Sequence, residues 1–154
     1  MTLDKFTIKA QEAVQAAVNI AQQNGQQSIE PVHLLKGVIE KGKDVTNFVF
    51  QKLGVNAQQI DTLVASEIQH LPRVQGGNVY LSNDANKVLT RAQEYATKMG
   101  DEFVSIEPIL LALLDVSSTA SRILHDAGCA EKEMTKAITE LRQGQNVKSQ
   151  SGDE

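Results

Sequence analysis

The sequence predicts an all-α domain of eight helices, built as two tandem four-helix units related by a pseudo-two-fold axis. Three observations predict it. A Ser-Ile-Glu-Pro motif occurs twice, as Ser28-Ile29-Glu30-Pro31-Val32-His33-Leu34-Leu35 and as Ser105-Ile106-Glu107-Pro108-Ile109-Leu110-Leu111-Ala112. An Ala-rich stretch precedes each copy and ends on a glycine, Gly25 in one unit and Gly100 in the other, an offset of 75 residues. Apolar residues in both stretches recur at helical spacing, and no segment alternates as a half-buried strand would. Two copies are too few for an open solenoid, so a closed domain is expected.

The first unit covers about 6–70. Thr7 takes the N-cap position of its first helix, Ala10, Ala13, Val14, Ala17 and Ala21 line one face, and Gly25 supplies the stop. Ser28 is the expected N-cap of the next helix, with Glu30 in the first turn, where a carboxylate complements the helix dipole. Pro31 is tolerated there because first-turn N–H groups lack intrahelical partners. Shorter helices are expected at about 44–53 and 56–70. The segment 71–81, with Pro72 and Gly76-Gly77, reads as the loop between the units. The second unit, about 82–143, repeats the scheme. Ser82 caps a helix whose face is Ala85, Val88, Leu89, Ala92, Ala96 and Met99, and Gly100 ends it. Ser105, Glu107 and Pro108 start the next, and short helices follow at 118–127 and 131–142. The domain thus spans 1–145, and the polar, aperiodic residues 144–154 read as a linker or frayed end.

Composition excludes several classes of function. A chain of 154 residues suffices for one core. With 15 Lys+Arg against 19 Asp+Glu the net charge is −4, and no basic run offers a nucleic-acid surface. The single cysteine, Cys129, rules out an internal disulfide framework and a cysteine-rich zinc site. Apolar stretches such as Ile109 to Leu114 are too short to span a bilayer, and no signal-peptide core follows Met1. A soluble, cytoplasmic domain without nucleic-acid or membrane partners is expected.

No catalytic constellation emerges. Gly37-Val-Ile-Glu-Lys-Gly42-Lys43-Asp44 has the spacing of a phosphate-binding loop, but Asp44 stands where a Ser or Thr hydroxyl would bind Mg²⁺. Its glycines read as helix-end punctuation. His33, His70 and His125 are unpaired at ligand spacing; His33 reads as a packing residue, and the other two lie near helix ends. Cys129 reads as a small apolar residue. The chain is therefore read as no enzyme, with no catalytic, cofactor-binding or metal-binding residue. One surface stands out: Asp101, Glu102 and Glu107 bracket Phe103, Val104 and Ile106, with Tyr95 a turn and a half before Gly100. In one reading, apolar residues ringed by carboxylates make a groove for basic or apolar peptide segments. In the competing reading Phe103 and Ile106 are core and the acids are solvated.

The duplicated motif resembles the N-terminal domain of Clp-family AAA+ ATPases. The opening Met1-Thr-Leu-Asp-Lys-Phe-Thr7, the inter-unit Leu71-Pro-Arg-Val-Gln-Gly-Gly77 and Gly100-Asp101-Glu-Phe103-Val-Ser105-Ile-Glu107 are similar to the ClpB-type protein disaggregases. The resemblance covers residues 1 to about 145. It implies a hexameric, two-ring ATPase that threads aggregated polypeptides through a pore, using ATP and Mg²⁺ outside this domain and working with a DnaK-type chaperone. The isolated domain would be a monomer that engages unfolded or aggregated protein. The resemblance assigns substrate handling to Thr7, Asp101 and Glu107, and an apolar groove to the positions of Arg91, Tyr95 and Pro108, beside Phe103. Arg91 departs from the aliphatic residue common there, which favours mixed or acidic segments. The alternative is an adaptor-docking module, as in other Clp subtypes.

Overall fold

The computed structural model describes residues 2–153, and among them the chain forms eight helices. The first unit contains α1 (Ile8–Gln23), α2 (Pro31–Lys41), α3 (Lys43–Leu53) and α4 (Ala57–His70). The second contains α5 (Asn83–Lys98), α6 (Ile106–Asp115), α7 (Thr119–Ala127) and α8 (Glu131–Arg142). Two strands too short to show alternation, β1 (Ser28–Ile29) and β2 (Tyr80–Leu81), pair in parallel with Ile29 opposite Leu81. An isolated parallel bridge joins Phe6 to Val104. Each partner of that bridge lies 75 residues from its counterpart in the β1–β2 pair, so the bridge repeats the sheet in the other half of the pseudo-two-fold.

The two units share one core. Helices α1 and α2 form one hairpin and α5 and α6 the other, α2 lies against α6, α3 against α8 and α4 against α7. Helix α6 is the axis of the core: every residue from Ile106 to Leu114 is buried, as an all-round apolar helix requires. Ile106 is core, as the competing reading had it, whereas Phe103 is only half-buried.

Two local expectations change. Gly37 does not end a helix; it sits in the middle of α2, where a Cβ would stand 2.2 Å from the Ala13 carbonyl oxygen of α1. Gly42, by contrast, does end α2 as expected and alone separates it from α3. The N-cap of α2 is Glu30 and not Ser28, which lies in β1 and donates its hydroxyl to Glu30 Oε2 at 2.9 Å. The strand pair holds Ser28 extended, and the helix can begin only at Pro31, whose fixed φ suits the first position.

His33 is fully buried yet has polar partners on both ring nitrogens. The Glu30 N–H donates to Nδ1 at 2.8 Å, which leaves the proton on Nε2 to reach Gln26 Oε1 at 2.7 Å. The Gln26 amide in turn donates to the Ile68 carbonyl at the end of α4. Burial lowers the His33 pKa below its usual 6.5, against an opposing pull from Glu30. The unfolded chain binds a proton that the folded chain refuses, so this contribution to stability is complete above pH 6.5 and is lost as pH falls toward the lowered value. Urea unfolding at about pH 7.5 and about pH 5.5 is expected to give the lower midpoint at the acidic pH, and His33→Gln is expected to flatten the difference.

Candidate functional site

The second unit places its acids around one cation that sequence reasoning did not single out. Helix α5 ends at Lys98 with Met99 as its C-cap, Gly100 takes φ +78°, and the chain turns so that the Asp101 N–H returns to the Ala96 carbonyl. The Asp101 side chain is thereby driven inward and is fully covered. Arg142, the last residue of α8, brings Nη1 within 2.7 Å of both Asp101 oxygens. Its Nη2 donates to Ser105 Oγ at 2.7 Å, and its Nε faces Glu107 Oε2 at 3.4 Å. Ser105 occupies the N-cap position of α6 but makes no capping bond; its hydroxyl donates to Glu107 Oε1 at 2.8 Å. Two carboxylates, a hydroxyl and a guanidinium thus form one buried network, with Arg142 side-chain exposure of 9%. Asp101 and Glu107 are neither solvated nor free to face a ligand with both oxygens.

Thr7 is buried at the head of α1, and its Oγ1 accepts the Ala10 N–H at 3.1 Å as the sequence leads one to expect of an N-cap. The same hydroxyl donates to Asp153 Oδ2 at 2.9 Å. That contact follows from the path of the tail, which differs from a frayed end. Gln143 and Gly144, at φ +52° and +82°, reverse the chain after α8. Val147 is then buried, its N–H donating to Asp101 Oδ1 at 3.0 Å and its carbonyl accepting from the Glu102 N–H at 2.8 Å. Three residues on, the Gln150 carbonyl accepts from the Ile8 N–H at 2.7 Å. Burial pushes the Asp153 carboxyl above the usual carboxylate range; the Thr7 hydrogen bond opposes the shift, and the nearby Glu107 charge adds to it. Replacing Thr7 with Ala removes both the cap and the tail contact. A loss of about 1–2 kcal/mol in thermal denaturation is expected, and Thr7→Ser should keep most of it.

Arg91 and Tyr95 make a separate cluster on α5. The Arg91 guanidinium lies 4.6 Å from the Tyr95 ring centroid and is held by Asp115 at 2.7 Å and Glu94 at 3.3 Å. Tyr95 is 5% exposed, and its hydroxyl donates to Glu131 Oε1 at 2.7 Å. Burial, with Glu131 adding, pushes the phenol up to about 12. Pro108 is buried in the first turn of α6. Of the seven sequence-predicted site residues, the structure gathers the side chains of Thr7, Asp101 and Glu107 under the tail, buries Tyr95 and Pro108, and leaves Arg91 and Phe103 partly accessible. Arg142, Ser105, Val147 and Asp153 complete the site. Only Arg142 carried a usable signal, as a basic residue in the last turn of a helix. Among the described residues no cluster of side chains could hold a metal ion, and no helix is long and apolar enough to cross a membrane.

A duplicated, helix-capped unit closed into one core defines a class, and the chain belongs to it: the family described as Clp repeat (R) N-terminal domain matches residues 5–151. Among curated relatives, the chaperone protein ClpB of Bacteroides thetaiotaomicron is 57% identical over the whole chain, and that of Porphyromonas gingivalis 47%. The chain spans 18% of the length of each. The Hsp104 N-terminal domain from Candida albicans has the same fold, with a TM-score of 0.86 at 23% identity over 98% of this chain and 100% of that one. The N-terminal domain of the ClpV1 ATPase from the E. coli EAEC Sci1 T6SS gives 0.78 at 17% identity, over 92% of this chain and 88% of that one. The family domain accounts for nearly all of these 154 residues and leaves no room within them for an ATPase domain.

Proposed function

We propose that this domain engages substrate for an ATP-dependent protein disaggregase, binding exposed apolar segments of unfolded or aggregated polypeptides. Kinship carries the reading: two relatives that match the whole chain are chaperone proteins. The second-unit face supports it. Phe103 stands half-exposed beside a network that fixes the Glu102 to Glu107 backbone, and Arg91 offers a charged edge. In this reading Asp101 and Glu107 act chiefly by holding that backbone through Arg142, and Thr7 by capping α1. Tyr95 and Pro108 support the face from below. The domain itself needs no cofactor; ATP and Mg²⁺ serve the rings of a cytoplasmic hexamer that works with a DnaK-type chaperone. Each site binds weakly, and six copies on one ring raise the effective affinity without new contacts.

A second reading, docking of one specific folded partner, draws support from the shared fold of the ClpV1 domain. Fluorescence anisotropy separates the two. The domain is titrated against a labelled protein in its permanently unfolded form and again in its native form. Weak, saturable binding to the unfolded form alone is expected. Binding to neither form, or preferential binding to the folded one, would remove the substrate-engaging reading.

A further inference from the structure

The two ends of the pseudo-two-fold carry related clefts, and at the second-unit end the tail of the chain shows how one is filled. Residues 150–153 cross the N-terminus of α1 there, the Ile8 N–H donating to the Gln150 carbonyl and the Thr7 hydroxyl to Asp153 Oδ2. Asp153 lines a cleft together with Lys9, Asp44, Val45, Glu107 and Arg142. A shift of 75 residues relates the Phe6–Val104 bridge to the β1–β2 pair. The same shift carries Lys9, Asp44 and Val45 onto Asp84, Thr119 and Ala120, and Glu107 and Arg142 onto Val32 and Glu67. All five of those residues line one cleft of about 100 Å³ at the first-unit end.

At that end no described segment of the chain takes the tail's place. Gly77 and Asn78, which correspond to Gly152 and Asp153, lie beside Gln22 and Gly25 instead. Asn83 and Ser82 correspond to Ile8 and Thr7. Among the described residues the Asn83 N–H has no acceptor, and Ser82 Oγ accepts the Ala85 N–H at 3.0 Å but donates to nothing. The cleft continues past Glu30 and Leu71 into a wider one of about 220 Å³, walled by Pro72, Val74 and Tyr80, the last two 47% and 55% exposed. Charge separates the two ends. Lys9 and Arg142 give way to Asp84 and Glu67, which with Glu30 put three half-buried carboxylates around the narrow cleft. Glu67 and Asp84 have no ion-pair or hydrogen-bond partner among the described residues. The N-termini of α2, α5 and α7 meet there and offset about half of the three charges.

We propose that this first-unit cleft binds an extended segment of unfolded polypeptide in which an apolar residue is followed by a lysine or arginine. Charge complementarity selects the basic side chain, which enters between Glu30, Glu67 and Asp84 where the second-unit cleft holds Asp153 near Lys9. The main chain of the segment takes the Asn83 N–H as Gln150 takes that of Ile8, a contact that reads no side chain. Val74 and Tyr80 cover the apolar residue. Its place before the basic one follows the tail, which runs from the buried Val147 to Asp153. The inference rests on the reading that the domain engages unfolded polypeptide, and it adds a second cleft whose charge preference is opposite to that of the Arg91 edge.

The probe is a short fluorescein-labelled glycine–serine peptide with two leucines followed by two lysines, and its control carries glutamates in place of the lysines. Anisotropy is followed on the full chain and on Glu67→Gln with Asp84→Asn, with amide shifts recorded in parallel. Only the lysine peptide is expected to bind, and the double variant should bind it about tenfold more weakly. Shifts should fall on Ser28 to Glu30, Tyr80, Asn83, Asp84 and Ser118 to Ala120, and spare Asp101 to Glu107. Glu67 has no partner to lose, so if the double variant does not fold, Glu67→Gln alone decides, with a loss of about threefold expected. Equal binding of the two peptides, or undiminished binding by the folded variant, overturns the cleft. Reduced, carboxamidomethylated α-lactalbumin that still shifts Asp101 to Glu107 then leaves the substrate-engaging reading standing; no binding of any of these polypeptides removes both.

Discussion

Replacing Arg142 with methionine is expected to destabilise the domain by about 3–5 kcal/mol, because it leaves two buried carboxylates without their cation. The guanidinium touches Asp101, Ser105 and Glu107 at once, and the Asp101 side chain has no exposure through which water could take over. A domain of this size should lose roughly 10 °C or more in melting temperature. Arg142→Lys keeps the charge but presents a point where a plane is needed to span three partners, so an intermediate loss is expected. Asp101→Asn with Arg142→Met should recover part of the loss, since the pair then leaves one buried charge instead of two. A near-neutral Arg142→Met would mean that the network is solvated.

Gly37→Ala is expected to cost about 3 kcal/mol in urea unfolding, although alanine is the better helix former by about 1 kcal/mol. The new methyl would stand 2.2 Å from the Ala13 carbonyl oxygen and 3.2 Å from the Ala17 nitrogen. Both are backbone atoms of α1, so no side chain can turn aside, and α1 must move off α2. Gly54 offers the opposite case: nothing lies within 4 Å of its would-be Cβ, but φ is +69°. Gly54→Ala should therefore cost only about 1 kcal/mol, through backbone strain alone. If Gly37→Ala proved as mild as Gly54→Ala, the close contact of α1 and α2 would be wrong.

These residues also show what was legible in the sequence. Alanine spacing over 10–21 and 85–96, the capping Thr7 and Ser82 and the repeated Glu-Pro motif place the helices within a residue or two of where they lie. Such signals are local: they report which face of one element is buried. Gly37 was misread because a glycine that ends a helix and one that admits a neighbouring backbone look alike in sequence; only α1 distinguishes them. Asp101 and Glu107 were legible as a cluster, but their partner lies 41 and 35 residues away, at the end of a different helix. The tail was least legible of all. Its contacts with Thr7 and Asp4 span 146 residues, and its hydrogen bonds to the body are mostly main-chain, which leave no trace in residue type. The short β1–β2 pair escaped for the same reason.

Unfolded polypeptide is proposed to engage the second-unit face, where Asp101 and Glu107 meet the tail and Thr7 of the first unit. Amide chemical-shift mapping of the full chain, titrated with an unstructured polypeptide to millimolar concentration, tests it most directly. Shifts are predicted to gather on Ile8, on Asp101 to Glu107 and on Gln145 to Asp153, with smaller ones near Arg91. Shifts confined to α3, α4 and the 71–81 connection, or none at millimolar ligand, would contradict the claim.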